Sequence, residues 1–305
     1  MRPKALNLMG DSMKRAALII AVFSIATWAF GQGTGQQTQQ QNPPAAGQAT
    51  PPAAGAAQTP AAPQGKRPPQ AKTQPEMDAY YAAVKITDAP GLEKASDDFA
   101  AKFPDSELRV LLFKMTTRAY QSSNNPDKTE ASARKVLAID PDDPESLVMV
   151  AQVIAERTHD TDLDKDQRYA EAMKMAEKAT QTVDTDLSVP ADKMDIAKAF
   201  LRSNAYSIMG TIEFKKENYP AAETALQKSL DAFPQQPDPV VVLRLAIALD
   251  KQNKIPDALK VANHAVELTQ ENTQVGTLAR RERDRLQQLS GTAPAANPPA
   301  TPPKN

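Results

Sequence analysis

The run "DTDLDKDQRYAE", Asp160 to Glu171, sets carboxylates at its first, third, fifth, seventh and twelfth positions. Calcium takes many oxygen ligands, and the EF-hand loop supplies them at nearly this spacing. The sixth position, however, holds Lys165 where such a loop needs glycine for its sharp turn, and the eighth holds Gln167 in place of an apolar residue. Two readings stand side by side: a calcium-modulated loop over 160–171, or a solvated acidic loop whose Asp164 or Asp166 caps the next helix. The second asks less of the sequence.

Other reactive chemistry is sparse. Only His159 and His264 supply imidazole, and there is no cysteine, which excludes disulfides, thiolate metal sites and a cysteine nucleophile. His264 lies between alanines and reads as packing or surface. "ARRERDR", Ala279 to Arg285, interleaves arginines with Glu282 and Asp284, as a solvated helix face with internal ion pairs would. "DPDDP" from Asp140 is turn chemistry. Phosphate-binding loop, nucleophile elbow and HExxH are all missing, so catalysis has no support in the sequence, and no cofactor is expected. A formal charge of −1 gives no electrostatic reason to expect nucleic acid.

The elements that would position these residues are helices. From Glu76 to Leu289 alanine, leucine, lysine and glutamate dominate, valines and isoleucines fall at helical spacing, and prolines punctuate. The pattern predicts an all-α domain with helices near 76–87, 91–103, 106–121, 128–139, 144–157, 165–183, 191–216, 219–233, 238–252, 255–269 and 272–288. Short gaps predict antiparallel packing of consecutive helices.

On either side the composition changes. "MRPKALNLMGDSMKR" carries Arg2, Lys4, Lys14 and Arg15 against Asp11, and an apolar run then extends from Ala16 to Phe30. Residues 1–31 thus read as a signal peptide cleaved after Ala29 or Gly31, or as an uncleaved anchor. The expectation is an exported, periplasmic or secreted chain; the anchored alternative would face the periplasm and touch membrane only through this segment. Residues 32–75 contain no leucine, isoleucine, valine, methionine or aromatic, and 290–305 repeat that Pro/Ala-rich composition. Neither stretch can bury enough apolar surface to offset its ordering entropy, so both read as disordered linkers.

Within the helical region one stretch is patterned most clearly: "NAYSIMGTIEFKKENYPAAETALQKSLDAFP". Tyr206, Met209 and Gly210 share one helix face, Ala222 and Leu226 another, and Pro234 closes the unit. This resembles the tetratricopeptide repeat, a helix–turn–helix unit patterned W-x2-L-G-x2-Y…A-x3-F…P, with Glu213 in place of the tyrosine. Leu245, Ala246 and Ala258 repeat the pattern downstream. Leu147, Ala151 and Ala172 do so upstream, with the acidic insertion between their helices. Weaker copies end at Pro141 and Pro104, and the final helix, striped by Val275, Leu278, Leu286 and Leu289, suits a terminal cap.

The small residues would sit where paired helices come closest. The resemblance implies an α-solenoid of antiparallel helix pairs, a right-handed superhelix over 76–289. It also implies a non-enzymatic scaffold that binds a protein or peptide on its concave face. With the basic, apolar start and the long tether, the expectation is an exported bacterial-type protein acting in assembly at a cell envelope. Helical spacing nominates Met149, Gln152, Asn204, Ser207, Ile208, Thr211, Arg244 and Ile247 for that face.

Overall fold

The computed structural model describes residues 66–291, and the expected signal or anchor, most of the linker and the tail from residue 292 lie outside the described residues. Among the described residues the secondary structure is helical throughout, with no strand. The helices are α1 (Gln74–Ala83), α2 (Ala89–Lys102), α3 (Leu108–Ser122), α4 (Pro126–Ile139), α5 (Pro144–Arg157) and α6 (Lys165–Thr182). They continue as α7 (Met194–Lys215), entered through a 3-10 turn at Ala191–Lys193, then α8 (Tyr219–Ala232), α9 (Pro239–Lys251), α10 (Ile255–Glu267) and α11 (Gln274–Gly291). None of them is long and apolar enough to cross a membrane.

Local chemistry fixes where these helices start. Side chains of Thr73, Asp88, Asn125, Asp143 and Asp238 accept from backbone N–H groups in the first turns of α1, α2, α4, α5 and α9. Proline follows within two positions in each case, where its fixed φ suits a helix and its missing N–H costs nothing.

The turns inside three of the helix pairs, α3–α4, α7–α8 and α9–α10, share a backbone signature. Asn124, Glu217 and Asn253 adopt left-handed φ values of 55°, 61° and 61°. The next amide in each turn then reaches back to Tyr120 O (2.9 Å), Glu213 O (2.9 Å) and Leu249 O (3.0 Å). This arrangement satisfies the last carbonyls of the first helix and reverses the chain into the second.

Each first helix packs on the second helix that follows, giving pairs α1–α2, α3–α4, α5–α6, α7–α8 and α9–α10, with α11 laid against α10 and α9. The first helices also touch one another: α1 meets α3, α5 meets α7, α7 meets α9, and α9 meets α11. The second helices make no comparable contact with each other. A stack whose first helices touch and whose second helices splay must curve with the first helices inside. The main core runs from Ala133 through α5 and α6 to Ile212. Satellite clusters lie under α8–α11 and α1–α3.

The small-residue seam is clearest between α7 and α8. A β-carbon at Gly210 would lie 2.7 Å from Leu226 Cγ and 3.1 Å from the Leu226 backbone nitrogen. Ala222, Leu226 and Gly210 are buried, and one turn along, Ser229 Oγ donates to Ser203 O at 2.8 Å. Ala246, Ala258, Ala262 and Ala265 are likewise without exposure in the next pair. Tyr206 and Met209 flank the seam half-buried, Leu245 is buried, and Pro234 is exposed just past the end of α8. Phe214 rather than Glu213 supplies the aromatic, edge-on to Tyr219 with ring centroids 5.7 Å apart. Glu213 is half-buried and accepts from Asn218 Nδ2 at 2.7 Å.

Some sequence expectations need correction. The segment 66–73, read as free linker, runs without helix along the array and is hydrogen-bonded to it through Lys66, Arg67, Gln70 and Lys72. At the other end α11 continues through Ser290 and Gly291, and Leu289 is 43% exposed, because the helix overruns the surface it packs on. Val275 and Leu286 hold the capping contact.

Replacing Gly210 by alanine should lower stability by roughly 1–3 kcal/mol through overpacking against Leu226. That would occur despite alanine's advantage of about 1 kcal/mol in helix propensity. Urea denaturation of the full chain would measure the difference; a variant at least as stable as the parent would refute the close approach.

Candidate partner-binding face

The face in question is the inner one, where first helices meet. Of the residues nominated from helical spacing, Met149 and Ile208 are each only 6% exposed and belong to the main core. They lie between neighbouring first helices: Ile208 continues the buried stripe of Ala205 and Ile212. Their expected exposure is therefore corrected. Gln152, Asn204, Ser207, Thr211, Arg244 and Ile247 are half-buried on α5, α7 and α9.

The geometry links three of these helices. Arg244 Nη1 on α9 donates to Thr211 Oγ1 on α7 at 2.8 Å, and Thr211 in turn donates to Ser207 O at 2.7 Å. On α5, Gln152 Nε2 donates to Glu156 Oε1 at 2.9 Å, while Glu156 Oε2 is buried without a hydrogen-bond partner. Lys215 Nζ on α7 donates to Ala155 O (2.6 Å) and Thr158 O (3.0 Å), closing the carboxyl end of α5.

Burial strains the charges gathered here. It lowers the pKa of Arg244, with Asp238 and Glu156 pulling the other way. It lowers that of Lys215, assisted by Arg244, and raises that of Glu156 against the pull of Gln152, Arg244 and Lys215.

Glu156 and Lys215 escaped the sequence reading. The signal was present, since each stands four residues after a nominated one, Gln152 and Thr211, and so on the same helix face.

A second polar group joins α3 to α5. Lys114 Nζ pairs with Asp143 at 2.5 Å and Glu145 at 3.2 Å, and Arg118 Nη2 pairs with Glu145 at 2.6 Å. Burial by itself would raise the Glu145 pKa, but Arg118 and Lys114 outweigh it and hold the carboxyl well below its usual range. Asp143 also accepts from Ser146 N at 2.8 Å, so one carboxylate serves both helix start and ion pair.

The acidic insertion does not gather its carboxylates. Helix α6 begins at Lys165, the loop's sixth position, and carries Asp166 and Glu171 away from Asp160 and Asp162. Glu171 pairs with Arg134 on α4 at 2.8 Å, and Asp162 accepts from His159 N at 2.9 Å. Asp164 stands at the N-cap without a side-chain capping bond. No group of three or more metal-ligating side chains forms among the described residues. The arginine run on α11 is paired partly within the helix, Arg283 with Asp284 and Arg285 with Glu282, and partly to α9, where Arg285 meets Asp250; His264 is exposed beside Glu267.

A tetratricopeptide repeat family model matches residues 213–281, from the end of α7 into α11. No curated protein sequence matches the chain. Among solved structures, "Assembly Chaperone of RpL4 (Acl4) (Residues 1-338)" aligns with a TM-score of 0.38 and 13% identity, over 72% of this chain and 99% of that one. Helix pairing like that of 213–281 also runs through the rest of the described array.

Removing Lys114 as Lys114→Met would take the ammonium from buried Asp143 and leave Glu145 to Arg118 alone, and should lower stability by roughly 3–5 kcal/mol. Chemical denaturation decides; a loss below about 1 kcal/mol would place the network with weak surface pairs.

Glu156 makes the opposite prediction. Its raised pKa means the folded chain keeps a proton that the unfolded chain has already released, so stability falls as pH rises above the ordinary carboxyl value. Glu156→Gln should therefore raise the Tm at neutral pH by about 1–3 °C. The gain should vanish below about pH 4. A gain that persists in acid would show that the charge is not its source.

Proposed function

We propose that this chain is a non-enzymatic scaffold that holds an extended segment of a protein partner along the inner face of its helical repeats. The observation that carries the reading is Arg244, a half-buried guanidinium bonded to Thr211, on the face where α5, α7 and α9 converge. A guanidinium offers five N–H donors, and a desolvated one binds acceptor groups more strongly than a solvated one. Around it, Gln152, Asn204, Ser207 and Ile247 offer a mixed polar and apolar surface, suited to main-chain amides and modest side chains. The tetratricopeptide match supports a protein as the ligand class.

The basic start and apolar run before residue 32 support export, with the scaffold acting in a periplasmic or extracellular space at the end of a long tether. Assembly of an envelope complex fits that placement. Retention of the apolar run as an anchor would leave the inner face unchanged and fix only the distance from the membrane.

A photo-crosslinking side chain placed at Ser207 or Ile247, on the inner face, should trap a partner polypeptide in intact cells. The same probe at Gln227 or Lys260, on the exposed side of the second helices, should trap little. Arg244→Ala should cut the inner-face adduct at least about tenfold, the loss expected for a charged hydrogen bond. Equal adducts from both faces, or an inner-face adduct indifferent to Arg244, would overturn the proposal.

A further inference from the structure

The segment ahead of α1 is "KRPPQAK", Lys66 to Lys72. It lies across the turns that connect one helix pair to the next. Arg67 Nη2 bonds both oxygens of Glu107 at 2.8 and 2.9 Å, and Gln70 N donates to the same carboxylate at 3.1 Å. Lys72 Nζ donates to Asp105 O at 2.8 Å in that α2–α3 turn. Lys66 reaches Asp140 at 2.6 Å in the α4–α5 turn and Asp186 at 3.8 Å in the α6–α7 connection. Successive pair-to-pair turns thus each present an acid to the same basic arm.

Other acids in these turns already have partners from the helices: Asp142 pairs with Lys178, and Asp184 with Lys198 and Arg202. Glu107, Asp140 and Asp186 meet the arm instead, and Arg67 holds the Glu107 carboxyl below its ordinary range. Pro68 and Pro69 stiffen the arm between its charged ends.

The two ends are held differently. Near α1 the anchor is buried: Lys72 N donates to Glu76 Oε2 at 2.7 Å, and the other oxygen of Glu76 takes the hydroxyl of buried Ser106. At the far end Arg67 is 59% exposed and Lys66 41% exposed, so their pairs face water. Exposed pairs are weak and salt-screened, and ordering a chain end opposes them. The far end of the arm is therefore near balance between docked and free.

We propose that residues 66–72 are a reversible ionic strap: docked on the acidic turns, they fix where the first 65 residues leave the array. Docked, the strap holds Lys66 at the turn edge, beside Asp140 and Asp186. Released, it lengthens the tether by its own span, pivoting about the buried Glu76 anchor. Ionic strength and competing polycations are the agents that would release it.

The chain has no cysteine, so two can be introduced cleanly. Spin labels at Pro68→Cys and Gln181→Cys, both exposed, in the full-length chain would be read by pulsed dipolar spectroscopy. At low salt a single narrow distance is expected, broadening and lengthening toward about 1 M salt as screening sets in. The triple variant E107Q/D140N/D186N should show the broad distribution at every salt concentration. K66Q/R67Q should do the same, and since it leaves every helix intact it guards against a folding defect in the first. A distribution broad at low salt, or one indifferent to salt and to both variants, would overturn the strap. Dipolar coupling between singly labelled chains mixed together would overturn it too, by assigning the arm to a neighbouring copy.

Discussion

The contact on which the architecture depends is the approach of α7 to α8 at Gly210, where not even a methyl group fits against Leu226. Helices of this length are marginal alone in water and persist only by burying a face on a neighbour. A small residue on one helix lets the backbone of its partner come close, so that leucine and aromatic side chains pack around the contact point. The same solution, with alanine, holds α9 against α10 through Ala246, Ala258 and Ala262. Once the two helices of a pair are this tight, the turn that joins them can be short and similar from pair to pair. The recurrence of left-handed Asn124, Glu217 and Asn253 is the consequence.

Pair formation is local, but curvature is not. It follows from what lies between first helices of successive pairs, and here the contents change along the array. Between α5 and α7 the filling is apolar, with Met149, Ile208 and Ile212 in one core. Between α3 and α5 the link is ionic, through Lys114, Asp143 and Glu145. Apolar filling tolerates sliding, whereas a buried ion pair has a narrow geometric optimum. The ionic joint therefore sets the register of the α3–α4 and α5–α6 pairs more sharply than packing would.

This division explains what the sequence disclosed. Helix positions, pairing and the seam at Gly210 and Ala222 depend on residues within one repeat, and spacing alone reads them. Helical spacing also says which face Met149 and Ile208 occupy. It does not say whether a helix some 50 residues away covers that face, and one does. The strap was invisible for a related reason. Composition reports that residues 66–72 cannot build a core, but not that Asp140 and Asp186, far along the chain, will stand where Lys66 can reach them. The calcium-like spacing is broken up on a purely local point: a helix starts at Lys165, within the run, so Asp166 and Glu171 lie on that helix and not in one loop with Asp160 and Asp162.

The acidic insertion has a structural consequence of its own. After α3, α7 and α9 the left-handed residue returns an amide to the helix's last carbonyls. After α5 the insertion replaces that turn, and Thr158 leaves in an extended conformation, so the end of α5 would be left with unmet acceptors in a partly buried place. Lys215 fills them, its ammonium set on Ala155 O and Thr158 O and over the ring of Tyr169 at 5.8 Å. The donor comes from the following pair rather than from α5's own turn. A departure from the repeat pattern within one pair is thus converted into a bond between pairs. That bond sits beside Glu156 and Arg244, on the face proposed to receive the partner, where the relative placement of α5, α7 and α9 decides what can bind.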